Sequence, residues 1–133
     1  MLTVLIDYDS GNLHSAQKAF ERMAAESGAG EVVVTSLPEI VARADRIVLP
    51  GDGAFPHCRA ELFGISGLAE AMIEAVERRA VPFLGICVGM QMMATQGFEF
   101  QETPGLGWVG GEIHRITPAD PANPVSLRAP TTL

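Results

Sequence analysis

Pro82-Phe83-Leu84-Gly85-Ile86-Cys87-Val88-Gly89-Met90-Gln91 decides how the rest of this chain reads. An apolar run with the composition of a buried strand ends in Gly85-x-Cys87-x-Gly89, and Met90 to Ala94 reads as the first turns of a helix. A sharp strand-to-helix turn lifts one side chain to the top of a sheet, with small residues two positions to either side because the backbones crowd there. The stretch therefore has the form of a nucleophile elbow with cysteine as nucleophile. With 14 Gly and 2 Cys in 133 residues, composition alone yields Gly-x-Cys-x-Gly about 0.02 times. A second reading stands beside it: Cys87 as a small hydrophobe packed among tightly turning glycines.

Upstream, short apolar runs alternate with helical patterns. Thr3 to Asp7, Glu31 to Thr35, Arg46 to Leu49 and Phe83 to Ile86 read as four strands, most of them without polar alternation, as in a parallel sheet covered on both faces. Leu13, Ala16, Phe20, Met23 and Ala24 form a helical stripe that ends near Gly28. Pro38 to Ala44 offers one or two helical turns. Ser66 to Arg79 is the clearest helix, with Ser66 as N-cap and Leu68, Ala69, Met72, Ile73 and Val76 on one face. Strands and helices alternating at this spacing predict an α/β fold, a mostly parallel sheet flanked by helices, with right-handed crossovers. The loops Tyr8 to Asn12, Pro50 to Gly53 and Cys87 to Gly89 all leave strands at their carboxyl ends, where such sheets carry their sites.

After Gln96 the pattern changes. Gly97 to Gly111 is glycine-rich, and Glu112 to Ile116 suggests one more strand. Four of the nine prolines fall from Pro118 onward, without apolar periodicity. Residues 1–117 are thus expected to form one partial domain, and 118–133 an irregular proline-rich tail.

Composition narrows the function classes. A net charge of −7, with one Lys and eight Arg scattered along the chain, offers no basic stripe for a nucleic-acid backbone or an anionic membrane surface. No apolar run approaches a membrane span, and Met1 leads directly into a strand pattern without a secretory signal, so a soluble, cytoplasmic protein is expected. Two cysteines suit a reducing compartment, and Cys58 has no metal-ligand spacing to Cys87, which makes it a structural or surface thiol. Met90, Met92 and Met93 read as helix packing. No cofactor or metal is called for.

A cysteine nucleophile needs a base, oxyanion donors and a substrate pocket. The amide of Val88, next after the nucleophile, is one donor, and its place at a helix start favours negative charge. Pro50-Gly51-Asp52-Gly53 is either the source of a second amide or an ordinary strand-end turn.

Gly85 to Gln91 after an apolar strand, with Pro50-Gly-Asp-Gly-Ala-Phe55 before it, resembles the class I (triad) glutamine amidotransferases. Asp7-Tyr-x-x-Gly-Asn12 and Pro104-Gly-Leu-Gly-Trp108 are similar, more narrowly, to the glutamine amidotransferase subunits of imidazole glycerol phosphate synthases, in histidine biosynthesis. The likeness covers residues 1 to about 118. It implies that Cys87 attacks the glutamine carboxamide, that the Gly51 and Val88 amides hold the oxyanion, and that Gly53 and Gln91 help hold glutamine. It also implies a cyclase subunit as heterodimer partner, which receives the ammonia and faces the Asn12 loop.

The family's catalytic His and Glu lie downstream in a His-Pro-Glu motif, and this sequence ends at Leu133 without one. The expectation is a truncated or frame-shifted member, incomplete at its C-terminus, with an apolar sheet edge left open and weak or absent turnover alone. His14, His57 and His114 lack a following Pro-Glu; His57 is nearest the candidate site edge and reads first as a solvated loop residue. Trp108 either packs under the glycine-rich loop or marks a partner surface. Two other readings remain at this level: a different cysteine-elbow hydrolase or stress-type protein, and a non-catalytic chain that only binds a partner.

Overall fold

A computed structural model describes residues 1–10 and 12–127, with side chains through Asn123. Gly11 of the Tyr8 to Asn12 loop and residues 128–133 of the expected tail lie outside the described residues. Four strands, β1 (Leu2–Ile6), β2 (Glu31–Thr35), β3 (Arg46–Leu49) and β4 (Phe83–Gly85), form a parallel sheet in the order β2-β1-β3-β4. The predicted strands and their parallel pairing are therefore present. The strand order reverses direction between β1 and β3, and the crevice at their carboxyl ends is where ligands bind in open sheets of this kind.

The two faces of the sheet are covered unequally. Val4, Ile6, Ile47 and Leu49 alternate onto one face and join Val41 of α2 (Pro38–Val41), Cys58 and Leu62 of α3 (Phe55–Gly64), and Leu68, Ala69 and Met72 of α4 (Leu68–Arg79) in one core. The opposite face meets α1 (Leu13–Ser27), which is capped by the Asn12 side chain on Ser15 N and ended by Gly28 in the left-handed conformation. No residue of α1 is fully buried. Its predicted apolar stripe lines an open groove instead: Phe20, Met23 and Ala24 face Val32, Val48 and Leu84 across a cavity of about 290 Å³. β4 is the edge strand of the described sheet, and Leu84 on it is 49% exposed.

Beyond β4 the structure departs from the sequence reading. The helix after the elbow, α5 (Val88–Gln91), is a single turn, and Ala94 opens a strand, not a helical turn. β5 (Ala94–Gly97) pairs with β6 (Thr103–Pro104) and with β7 (Val109–Ile113) in a second sheet. Pairing ends the helix early: the Gly105 and Gly107 amides donate to the Thr95 and Ala94 carbonyls, and a Cβ on Gly105 would collide with the Ala94 carbonyl oxygen. Of the three methionines assigned to helix packing, Met92 is buried and Met90 is 57% exposed. The last predicted strand, Glu112 to Ile116, lies earlier, as β7.

Three further corrections follow from local chemistry. Ser66 does not cap α4; Gly67 at φ 79° precedes it, because the chain turns there through a left-handed residue. Phe55–Gly64 is a helix that the sequence reading omitted. Its start is held by the Glu99 carboxylate, which accepts from Phe55 N at 2.9 Å, and Gly97 leaves room for the Phe55 ring. The expected irregular tail is, over its described part, an antiparallel hairpin of β8 (Pro118–Asp120) and β9 (Asn123–Leu127). Asp120 closes its turn by accepting from Ala122 N at 3.0 Å, an Asx contact available to any short polar turn.

Trp108 packs edge-on to Phe83 at 4.9 Å between ring centres and donates from Nε1 to Glu77 at 3.0 Å. It thus joins the second sheet to β4 and α4.

Two outcomes test this packing. Leu62→Ala removes a fully buried side chain from the core, and urea denaturation is expected to show a loss of about 2–4 kcal/mol. Leu84→Lys places a charge on the open apolar edge and should reduce concentration-dependent self-association in light scattering, with little change in melting temperature.

Candidate active site

Three loops meet above the carboxyl ends of β1, β3 and β4. The elbow is built by close backbone approach. The Ile86 amide donates to the Leu49 carbonyl at 2.9 Å, extending the β3–β4 ladder to the residue before the cysteine. The chain then turns so tightly that a Cβ on Gly85 would lie 2.6 Å from Met90 Cα, and one on Gly89 would collide with the Leu49 carbonyl oxygen. Both flanking positions of the motif are therefore glycine for lack of space.

Cys87 sits between them at φ 56° and ψ −118°. A side chain at such positive φ costs on the order of 1–3 kcal/mol and persists only where the surroundings impose it. Here the surroundings are the β3–β4 ladder before it and the α5 turn after it, with Gln91 N donating to the Cys87 carbonyl at 3.1 Å. The thiol is exposed. The packed-hydrophobe reading of Cys87 is thus wrong for this fold: the buried thiol is Cys58.

The Pro50 to Gly53 loop lies against the elbow. A Cβ on Gly51 would stand 2.7 Å from Gly89 N and 2.9 Å from Val88 Cβ. The Gly51 and Val88 residues named as oxyanion donors are therefore neighbours, and among the described residues neither amide has a protein acceptor. Gly53 meets nothing where its Cβ would be, but its φ of 106° is one that L side chains rarely adopt. Gln91 is half-buried and ends α5, and its amide donates to the Cys87 carbonyl. Because α5 is one turn long, its dipole contributes less to the site than the sequence reading supposed.

Beneath this loop is a polar cluster that sequence reasoning missed. Tyr8, fully buried, donates its hydroxyl to the Pro50 carbonyl. Burial, with the neighbouring Cys58 thiol adding to it, pushes the Tyr8 phenol well above its usual range, so it remains a donor at neutral pH. Ser10 Oγ donates to Asp52 O at 2.9 Å and accepts from Asp52 N at 2.9 Å. Cys58 Sγ lies 3.2 Å from Ser10 Oγ and 3.4 Å from Asp52 O. Only Asp7, Tyr8, Gly11 and Asn12 of this segment carried a sequence signal, through the Asp7-Tyr-x-x-Gly-Asn12 pattern.

The structure does not bring the histidines to the elbow. His14 and His57 are exposed on α1 and α3, and His114 stacks on Phe98 at 4.5 Å and meets Glu112 at 2.7 Å. Among the described residues no histidine or carboxylate hydrogen-bonds Cys87, and no group of three or more His, Cys, Asp or Glu is arranged to hold a metal ion. No described helix is long and apolar enough to cross a membrane.

Residues 4–100 match the family described as Glutamine amidotransferase class-I. The chain is 71% identical over 121 residues to "Imidazole glycerol phosphate synthase subunit HisH" of Cereibacter sphaeroides, covering 91% of this chain and 57% of that protein. It is 70% identical to the same-named subunit of Ruegeria pomeroyi, over 92% of this chain and 58% of that one, and 58% identical to that of Rhodospirillum rubrum over the same shares. The chain thus spans a little over half the length of these relatives. The match carries the elbow, the Pro50 loop and all four strands of the parallel sheet, and it sets aside an unrelated cysteine-elbow hydrolase: this chain belongs to the class-I glutamine amidotransferase family.

Proposed function

We propose that this chain carries the nucleophile and oxyanion half of a glutamine-hydrolysing site, and that it serves as the glutamine amidotransferase subunit of an imidazole glycerol phosphate synthase. The observation that carries the reading is the contact of two loops: an exposed, strained Cys87 beside two unengaged backbone amides, Gly51 and Val88.

In this reading the Cys87 sulfur attacks the side-chain carbonyl of glutamine. The carbonyl oxygen takes up the charge between the Gly51 and Val88 amides, which are fixed before the substrate arrives, so little reorganisation is needed as the charge develops. Collapse breaks the C–N bond. The departing nitrogen takes a proton and leaves as ammonia, and a γ-glutamyl thioester remains on Cys87. Water then cleaves the thioester, giving glutamate and the free thiol. Gly53, in the Pro50 loop, and Gln91, at the end of α5, are the residues that the family resemblance assigns to holding glutamine. Ammonia passes to a partner subunit, which the relatives' names imply, and which the family resemblance makes a cyclase.

The lack of a base against Cys87 among the described residues favours a second reading, in which the chain binds a cyclase without turning glutamine over. Incubation with glutamine and a candidate cyclase, with glutamate and ammonia measured, separates the two. Glutamate release that disappears in Cys87→Ala supports the proposal; co-elution with the cyclase and no glutamate supports the second reading. Gly51→Ala pushes the loop off Gly89 and Tyr8 and is expected to lower kcat by about a hundredfold with a small change in KM, as for loss of an oxyanion donor.

A further inference from the structure

β4 ends the parallel sheet with its outer side bare. Pro82 O accepts from Ile47 N at 3.0 Å and Ile86 N donates to Leu49 O at 2.9 Å, so residues 82, 84 and 86 turn their peptide groups toward β3. Alternation along the strand points the N–H and C=O groups of Phe83 and Gly85 the other way, and among the described residues nothing hydrogen-bonds them. Two donors and two acceptors therefore stand ready for another strand.

The side chains beside this edge are apolar. Leu84 and Ile86, two positions apart, lie on one side of the strand, and both are exposed, as is Met90 just past the elbow. Leu84 also borders the open groove with Phe20, Met23 and Ala24 of α1 and Val48 of β3. The opposite face of the sheet is filled by α2, α3 and α4. Free backbone groups and free apolar surface thus meet at one corner of the fold, the combination that marks an interaction surface.

The relatives indicate what covers it. This chain covers 57% and 58% of the Cereibacter sphaeroides and Ruegeria pomeroyi subunits, so each has further polypeptide that this chain does not match. The whole corner lies within residues 4–100, the part that matches the family. A second copy of the chain fits less well: it would offer only the three residues of its own β4 and would bring together two molecules of net charge −7.

We propose that the outer edge of β4 and the groove beside α1 form one docking surface, and that its occupant is the remainder of such a subunit, bound as a separate chain. An extended segment pairs with Phe83 and Gly85, and apolar side chains of the same polypeptide fill the groove. The backbone bonds set direction and register, and the groove supplies most of the affinity. If the segment runs parallel to β4, its carboxyl end lies level with Cys87 and the loop after it overhangs the thiol. The docking does not depend on glutamine being the substrate; only this consequence for Cys87 rests on that reading.

The test co-expresses the tagged 133-residue chain with the part of the Cereibacter sphaeroides subunit outside the match, so that neither has to fold alone, and reads the complex by co-purification and native mass spectrometry. A 1:1 complex is expected. Leu84→Lys and Met23→Lys, each placing a charge in the surface, should lower the recovered complex at least about tenfold. Phe100→Lys, on the exposed loop between β5 and β6, should leave it within about twofold. Circular dichroism of each variant alone checks that it folds as the parent does.

Amide hydrogen exchange supplies a second readout: the Phe83 and Gly85 amides should exchange freely in the chain alone and become protected in the complex. No 1:1 complex with the parent chain, a remainder recovered only as insoluble protein, Phe83 and Gly85 amides left unprotected, or equal losses in Leu84→Lys and Phe100→Lys each overturn the proposal. So does a stable dimer of the 133-residue chain that persists in the presence of the remainder, which would give the surface to a second copy. A 1:1 complex with protected amides that releases no glutamate from glutamine upholds the docking and counts against the glutamine reading alone.

Discussion

The site depends on how closely the turn after β4 can approach the end of β3. The Ile86 amide reaches the Leu49 carbonyl, and Gly89 passes the same carbonyl with no space for a side chain. Any larger residue at 85 or 89 would separate two backbones that carry the functional groups. The same approach forces positive φ on Cys87, so the strain at this residue and the exposure of its thiol have one cause. Strain of this kind is offset by the surrounding packing, here the core beneath β3 and the ladder that joins β3 to β4.

Rigidity is distributed to match. The face of the sheet bearing Val4, Ile6, Ile47 and Leu49 is packed under α2, α3 and α4, and it holds the strand ends from which the loops spring. Tyr8 and Ser10 carry that order one step further, from β1 into the loop after β3. The opposite face is looser: α1 leaves an apolar groove, and β4 is an edge. Chemistry and open surface therefore lie in different parts of the sheet, connected through β4, whose one end forms the elbow and whose Leu84 lies in the groove.

Much of this was legible in the sequence where the physics is local. Short apolar strands, the glycine spacing about Cys87 and the left-handed stop at Gly28 each follow from residue type and interval. What was not legible depends on distant partners. Helix Phe55–Gly64 was hidden by Pro56 and Gly64, and its start is fixed by Glu99, more than forty positions away. The elbow helix stops after one turn because β5 is claimed by the second sheet, a preference Met92 and Met93 do not announce. Cys58 read as an unremarkable thiol, and nothing in residues 8–10 indicated that Ser10 would close on Asp52. The family resemblance supplied the roles of Gly51, Gly53 and Gln91, and the structure supplied the reason Gly51 must be glycine.

The central claim is that the elbow presents Cys87 to a glutamine carboxamide beside two fixed amides. Its most direct test is to mix the chain with L-glutamine at mildly alkaline pH, where a thiol ionises without a partner base, quench in acid and locate any adduct by peptide mass spectrometry. The account predicts one γ-glutamyl group on the peptide containing Cys87 and none on the peptide containing Cys58. No adduct at Cys87, or equal modification of the two cysteines, would contradict it.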